Sequence, residues 1–203
     1  MGALLKLSKA IDAMTEWVGR WVSWLVLIAV LISSVNAIVR KAFNTSSNAF
    51  LEIQWYLFAA VFLLAAGYTM LRQEHVRIDV LLGRFSKRTQ IKVEAACILI
   101  FLFPFCWKVI HLVWPLVVTA YTSGEMSSNA GGLIRWPVYA LVPIGFALLM
   151  VQGLSEFIKR LAYLQGLIDD PTQRKQNKSA EEELAEFVRA KAEAAAVAGG
   201  VTK

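Results

Sequence analysis

The sequence predicts an all-α integral membrane protein with four transmembrane helices, on three observations. Hydrophobic residues make up 57% of the 203 and charged residues 18%. Mean hydropathy is +0.53, far from the soluble average with its roughly 25% charged residues. Four apolar runs, about 21–39, 55–71, 95–121 and 136–154, approach or exceed the ~17–25 helical residues that cross a hydrocarbon core. Lysine and arginine are also shared unevenly. With both termini on one side, seventeen fall on that side, while Arg40, Lys41 and Arg135 fall on the other and Lys108 lies in a span. The positive-inside rule then places both termini in the cytoplasm.

This reading assigns the formal charge of +6 to topology, since no basic groove interleaved with stacking aromatics marks a nucleic-acid partner. Cys97 and Cys106 both lie in an apolar run, so they read as packing residues, not a disulfide framework. The first long apolar segment exceeds a signal h-region and no small-residue cleavage site follows it, so no cleavable signal is expected.

Residues 1–19 form an amphipathic N-terminal segment. Leu4, Leu7, Ile11, Met14 and Val18 recur at intervals of three and four, with Lys6, Lys9, Asp12 and Glu16 around much of the rest. Such a helix either lies in the interface with its apolar face down or extends the first span; the interfacial reading is preferred. The membrane domain occupies 20–160. Trp17, Trp21 and Trp24 crowd the start of span one as an aromatic belt. Ser33, Ser34 and Asn36 sit in its second half, where polar side chains usually face another helix. A short polar linker, Phe43 to Asn48, makes spans one and two antiparallel neighbours.

Span two is the stretch around which the chain is organised. Glu52, Gln54, Trp55 and Tyr56 stand at its start, and Arg72, Gln73, Glu74, His75, Arg77 and Asp79 crowd its end. Arg72 and Arg77 read either as topology anchors or as parts of a docking corner. The basic loop that follows clusters Ile78, Leu81, Leu82 and Phe85 at helical spacing, which predicts a surface helix over about 78–92.

Span three carries Pro104, Lys108, His111 and Pro115. A cation near mid-span carries a cost of ~2.5–3.5 kcal/mol on an insertion scale. Two readings stay open: a snorkelling lysine beside a packed histidine, or a pair facing a carboxylate on another helix or chain. The loop from Thr122 to Pro137 has turn glycines at Gly124, Gly131 and Gly132, with Ser127, Ser128 and Asn129 as local caps. Span four starts at Trp136 and ends near Glu156, Lys159 and Arg160. The segment 161–203 reads as a cytoplasmic tail with a capping box at Ser179 and Glu182.

No phosphate loop, nucleophile elbow or metal-ligand spacing appears, and no carboxylate falls inside a span to couple protons. The residues alone point to a small helical subunit with polar corners made for another protein, and not to an enzyme. Two other classes stay open: a haem-bearing membrane anchor of a respiratory enzyme, which a Soret band would reveal, and an independent small transporter.

Three stretches resemble a known family: Asn48 to Trp55, His75-Val-Arg77-Ile-Asp79, and Gly124-Glu125-Met-Ser127 with Gly131-Gly132-Leu through Trp136-Pro137. Over roughly Ile11 to Arg160 the chain resembles the small membrane subunit, the Q-type permease component, of tripartite ATP-independent periplasmic transporters. The resemblance implies a bacterial inner-membrane scaffold beside a large permease subunit, importing organic acids delivered by a periplasmic binding protein. Membrane lipids are the remaining partner, and no nucleic acid is expected. It implies no cofactor in this chain, the sodium ions belonging to the large subunit, and no substrate-binding residue here. The candidate interface or structural residues are Glu52, Gln54, Trp55, His75, Arg77, Asp79, Lys108, His111, Gly124, Glu125, Ser127, Asn129, Gly131, Gly132, Arg135 and Trp136.

Overall fold

Four apolar segments became four helices long and apolar enough to cross a membrane. The computed structural model describes residues 1–43, 47–73 and 85–171. Helix α1 spans Gly2–Phe43, α2 Asn48–Leu71, α3 Lys87–Cys97, α4 Phe103–Ser123 and α5 Trp136–Leu164. A π-turn, Ile98–Leu102, joins α3 to α4 in one rod. Among the described residues, β pairing is limited to the isolated bridge between Met126 and Ile134.

Helix α5 is the hub. It borders α1, α2, α3 and α4, and small residues let its neighbours approach. A Cβ on Gly145 would lie 2.8 Å from both the Cβ and the carbonyl oxygen of Leu63 on α2. A Cβ on Gly153 would lie 2.5 Å from Leu102 Cδ2, at the π-turn. Lipid is as apolar as a side chain, so close backbone approach, not burial of oily surface, holds membrane helices together. The two glycines differ in what they face: a fixed main chain at Gly145, a flexible side-chain tip at Gly153. Gly145→Ala is therefore expected to cost about 1–3 kcal/mol by overpacking and to lower the melting temperature in detergent. Gly153→Ala should cost less, and Gly2→Ala, which meets nothing within 4 Å, should be silent.

The expectation for the N-terminal segment is corrected. Residues 1–19 are not a separate interfacial element but the first half of the 42-residue α1. At 1.5 Å per residue α1 is ~63 Å long, about twice the hydrocarbon thickness. Ser8, Ile11 and Thr15 are buried, while Leu4, Leu7 and Met14 are exposed. Asn36 is buried as expected for a polar residue within a span, whereas Ser33 and Ser34 are exposed. The expected surface helix over 78–92 is described only in part. Its residues 87–92 are the opening turns of the rod that continues as span three, begun by the Ser86 hydroxyl accepting from the Thr89 amide at 3.4 Å. Phe85 and Ser86 are not helical, and residues 78–84 and the tail beyond Pro171 lie outside the described residues.

Candidate functional site

Polar side chains gather at the two ends of the bundle and form two locks. At the loop end, Glu52 in the first turns of α2 is 3% exposed. Its carboxylate accepts from the Ser127 hydroxyl, from Asn129 Nδ2 at 2.7 Å and from the Leu133 amide at 2.7 Å. A carboxylate is an acceptor-only group, and three donors converging on it suit the ionised form.

The loop is shaped to deliver those donors. Gly124 ends α4 in the left-handed conformation, φ +62°, and Gly131 turns the chain at φ +71°. Both are positions that glycine occupies without a Cβ penalty. Gly132 lies so close to Ser127 that a Cβ would come within 2.5 Å of the Ser127 Cβ. The Ser127 amide donates to the Leu133 carbonyl at 2.9 Å, and the Arg135 amide to the Glu125 carbonyl at 2.9 Å. Arg135 pairs with Glu125 at 3.3 Å. Asn48 donates to the Ala130 carbonyl at 3.0 Å and the Tyr56 hydroxyl to the Ile134 carbonyl at 3.1 Å. Trp136 meets Tyr121 edge to face at 5.4 Å. The start of α2 thus holds the loop between α4 and α5 by side chain and main chain together.

The opposite end carries a denser network. Gln152, Ser155, Glu156 and Arg160 of α5 are buried. Arg160 donates to Glu156 Oε2 at 2.6 Å and to Glu94 Oε2 on α3 at 3.0 Å. Lys159 pairs with Glu156 and with Asp12 of α1 at 3.1 Å. Asp12 also accepts from Ser155 at 2.6 Å and from Gln152 at 3.0 Å, and the Thr15 hydroxyl donates to Gln152 Oε1 at 2.7 Å. The hydroxyls of Ser8 and Ser155 lie 2.8 Å apart. From the turn that ends α2, Gln73 donates to Glu156 at 3.0 Å and Arg72 pairs with Glu16 at 2.7 Å. Groups from α1, α3, α5 and the turn after α2 meet in this one network.

Among the sequence candidates, Glu52, Gly124, Glu125, Ser127, Asn129, Gly131, Gly132, Arg135 and Trp136 come together in the loop lock. Gln54 is half-buried and Trp55 exposed beside it. Lys108 and His111 lie elsewhere, on the outer face of α4, and both are exposed. The approach of Lys108 to Glu52 or Glu125 is not seen, since those carboxylates are taken by the loop and by Arg135. His75, Arg77 and Asp79 lie outside the described residues. The network residues Asp12, Glu94, Gln152 and Ser155 were missed, and Glu156, Lys159 and Arg160 were read only as the polar end of a span. The usable signal was the polar stripe Ser8, Asp12, Thr15 at helical spacing.

A family model described as tripartite ATP-independent periplasmic transporters, DctQ component, matches residues 29–162, more than half of the chain. The chain belongs to the DctQ family. The matched region contains the whole loop lock and the α5 side of the network, while Ser8, Asp12, Thr15 and Glu16 precede it. DctQ proteins are the small permease component of a tripartite transporter, working with a large permease and a periplasmic binding protein. The family is a transporter component, not an enzyme family, and it fits a multi-pass protein of the inner membrane. No curated protein and no solved structure matches the chain.

Proposed function

We propose that this DctQ subunit is a fixed scaffold that carries no substrate, packed beside the large permease of a sodium-coupled importer of organic acids. One observation carries the reading: among the described residues, every carboxylate borne by the helices is held by donors of the same chain. Asp12, Glu16, Glu52, Glu94 and Glu156 are each hydrogen-bonded or ion-paired internally. Internal pairing gives each of these carboxylates a structural role, and none of them stands on the central turns of a span, where a coupling site is expected. Charge distribution supports both termini in the cytoplasm, with the network end at the cytoplasmic face and the Glu52 lock at the periplasmic face. Sodium ions, the organic acid and the moving parts then belong to the large subunit, and the binding protein docks at the periplasmic face.

Reconstitution tests this directly. Liposomes holding this chain alone should show no sodium-driven uptake with any organic acid delivered by the binding protein. Adding the large subunit should restore uptake, and omitting this chain should abolish it. Transport by this chain without the large subunit would overturn the scaffold reading.

A further inference from the structure

Helix α4 is thinly covered. Over Phe103–Ser123 only Cys106 and Ala120 are buried, and besides the turns that lead into it α4 borders α5 alone. Its free side is not uniformly apolar. Lys108 and His111 are exposed there, between Trp107 at 64% and Trp114 at 57% exposure. Trp107, Ile110, His111, Trp114 and Pro115 line a shallow groove. Pro115 has no N–H to offer the His111 carbonyl one turn earlier, so that carbonyl lacks its regular helical donor.

Depth decides what can cover this face. Along its own rod Lys108 stands fourteen residues, ~21 Å, from Glu94, whose pair with Arg160 marks the network end. The Tyr121 level, where the aromatic pair with Trp136 marks the interface, is thirteen residues away, or ~20 Å. A four-methylene stem does not snorkel that far. Among the described residues no carboxylate pairs with Lys108. An ammonium at this depth facing lipid tails is unfavourable, and such groups face a protein interior and pair there.

We propose that the outer face of α4 is the seat of a transmembrane helix of another protein that presents a carboxylate to Lys108, with a donor at the His111 carbonyl and apolar side chains between Trp107 and Trp114. The proposal rests on the scaffold reading above, which makes that protein the large permease subunit, and it adds the face and the chemistry of recognition.

The test uses the co-expressed transporter with an affinity tag on this chain. A photoreactive benzoylphenylalanine at Leu112 or Trp114 should crosslink to the large subunit. The same group at Ile38 on α1 or Phe62 on α2, both exposed, should not. Crosslinks from Ile38 or Phe62 with none from α4, or crosslinks from α4 to lipid alone, overturn the face while leaving the scaffold reading intact. Failure of the large subunit to copurify with the parent chain overturns the scaffold reading itself. For the carboxylate, Lys108→Met should recover roughly 3–30-fold less large subunit, the range set by interhelical polar contacts. Lys108→Arg should recover nearly the parental amount. Both variants should melt like the parent when purified alone. A Met variant that recovers the large subunit as the parent does overturns the charge pairing.

Discussion

Arg160→Met is expected to destabilise the network end by ~3–5 kcal/mol, as removing one partner of a buried ion pair usually does. Arg160 is 4% exposed and donates to Glu156 at 2.6 Å, to Glu94 at 3.0 Å and to the Glu156 carbonyl at 3.1 Å. The methionine fills most of the volume but leaves Glu156, itself 1% exposed, with Lys159, Gln73 and Gln152 as its remaining donors. Against a typical total stability of ~5–15 kcal/mol the loss is large, and thermal unfolding of the purified chain in detergent reads it. The double variant Arg160→Met, Glu156→Gln should recover part of the loss, because the buried carboxylate left short of a cation is then gone. Lys87→Met supplies the comparison. Its pair with Asp170 is half-exposed at the lysine and should be worth only ~0–1 kcal/mol. If Arg160→Met costs no more than Lys87→Met, the network is incidental to the fold.

The two locks differed in how legible they were. The loop lock was visible because its residues are out of character with their surroundings. Glu52 interrupts an apolar stretch, and Gly124, Gly131 and Gly132 punctuate a polar loop, so each stood out locally before any pairing was known. The network was not visible, because Glu156, Lys159 and Arg160 look the same at a span end whether they meet water or another helix. Their partner Asp12 is more than a hundred residues away, and periodicity reports spacing, not partners.

Helix α1 shows a related ambiguity. The spacing sets Leu4, Leu7, Ile11, Met14 and Val18 on one face with Lys6, Lys9, Asp12 and Glu16 around the rest, but it does not say which residues meet another helix. Ser8, Asp12 and Thr15 turn inward, with Ile11 beside them, because Gln152 and Ser155 of α5 offer them hydrogen-bond partners. The π-turn in Ile98–Leu102 is five apolar residues in an apolar run, and its local signal is the next proline: Pro104 has no N–H for the Ile100 carbonyl.

Glu52→Ala should release the loop between α4 and α5 and, with it, the loop end of the bundle. The alanine removes the common acceptor of Ser127, Asn129 and the Leu133 amide, and it does so where the carboxylate is 3% exposed, so little water is at hand to replace it. The Leu133 amide is the direct reporter. Its hydrogen bond to Glu52 Oε2, 2.7 Å long, is lost, and its hydrogen exchange should accelerate about tenfold or more, as expected when a buried donor loses its only charged acceptor. Trypsin should also cleave faster after Arg135, which closes the loop through Glu125. Graded variants separate charge from shape. Glu52→Gln keeps the length but carries one acceptor oxygen and one NH2 group. Turned either way, it sets donor against donor at Leu133 or at the Ser127 and Asn129 side, so one contact must fail. Ser127→Ala deletes a single donor and leaves the carboxylate two others, so it should be mildest. The expected order of Leu133 exchange is Glu52→Ala fastest, then Glu52→Gln, then Ser127→Ala near the parent. An unchanged Leu133 amide in Glu52→Ala would mean that the main-chain bonds at Ser127 and Arg135 hold the loop without the carboxylate, and the lock would reduce to a turn.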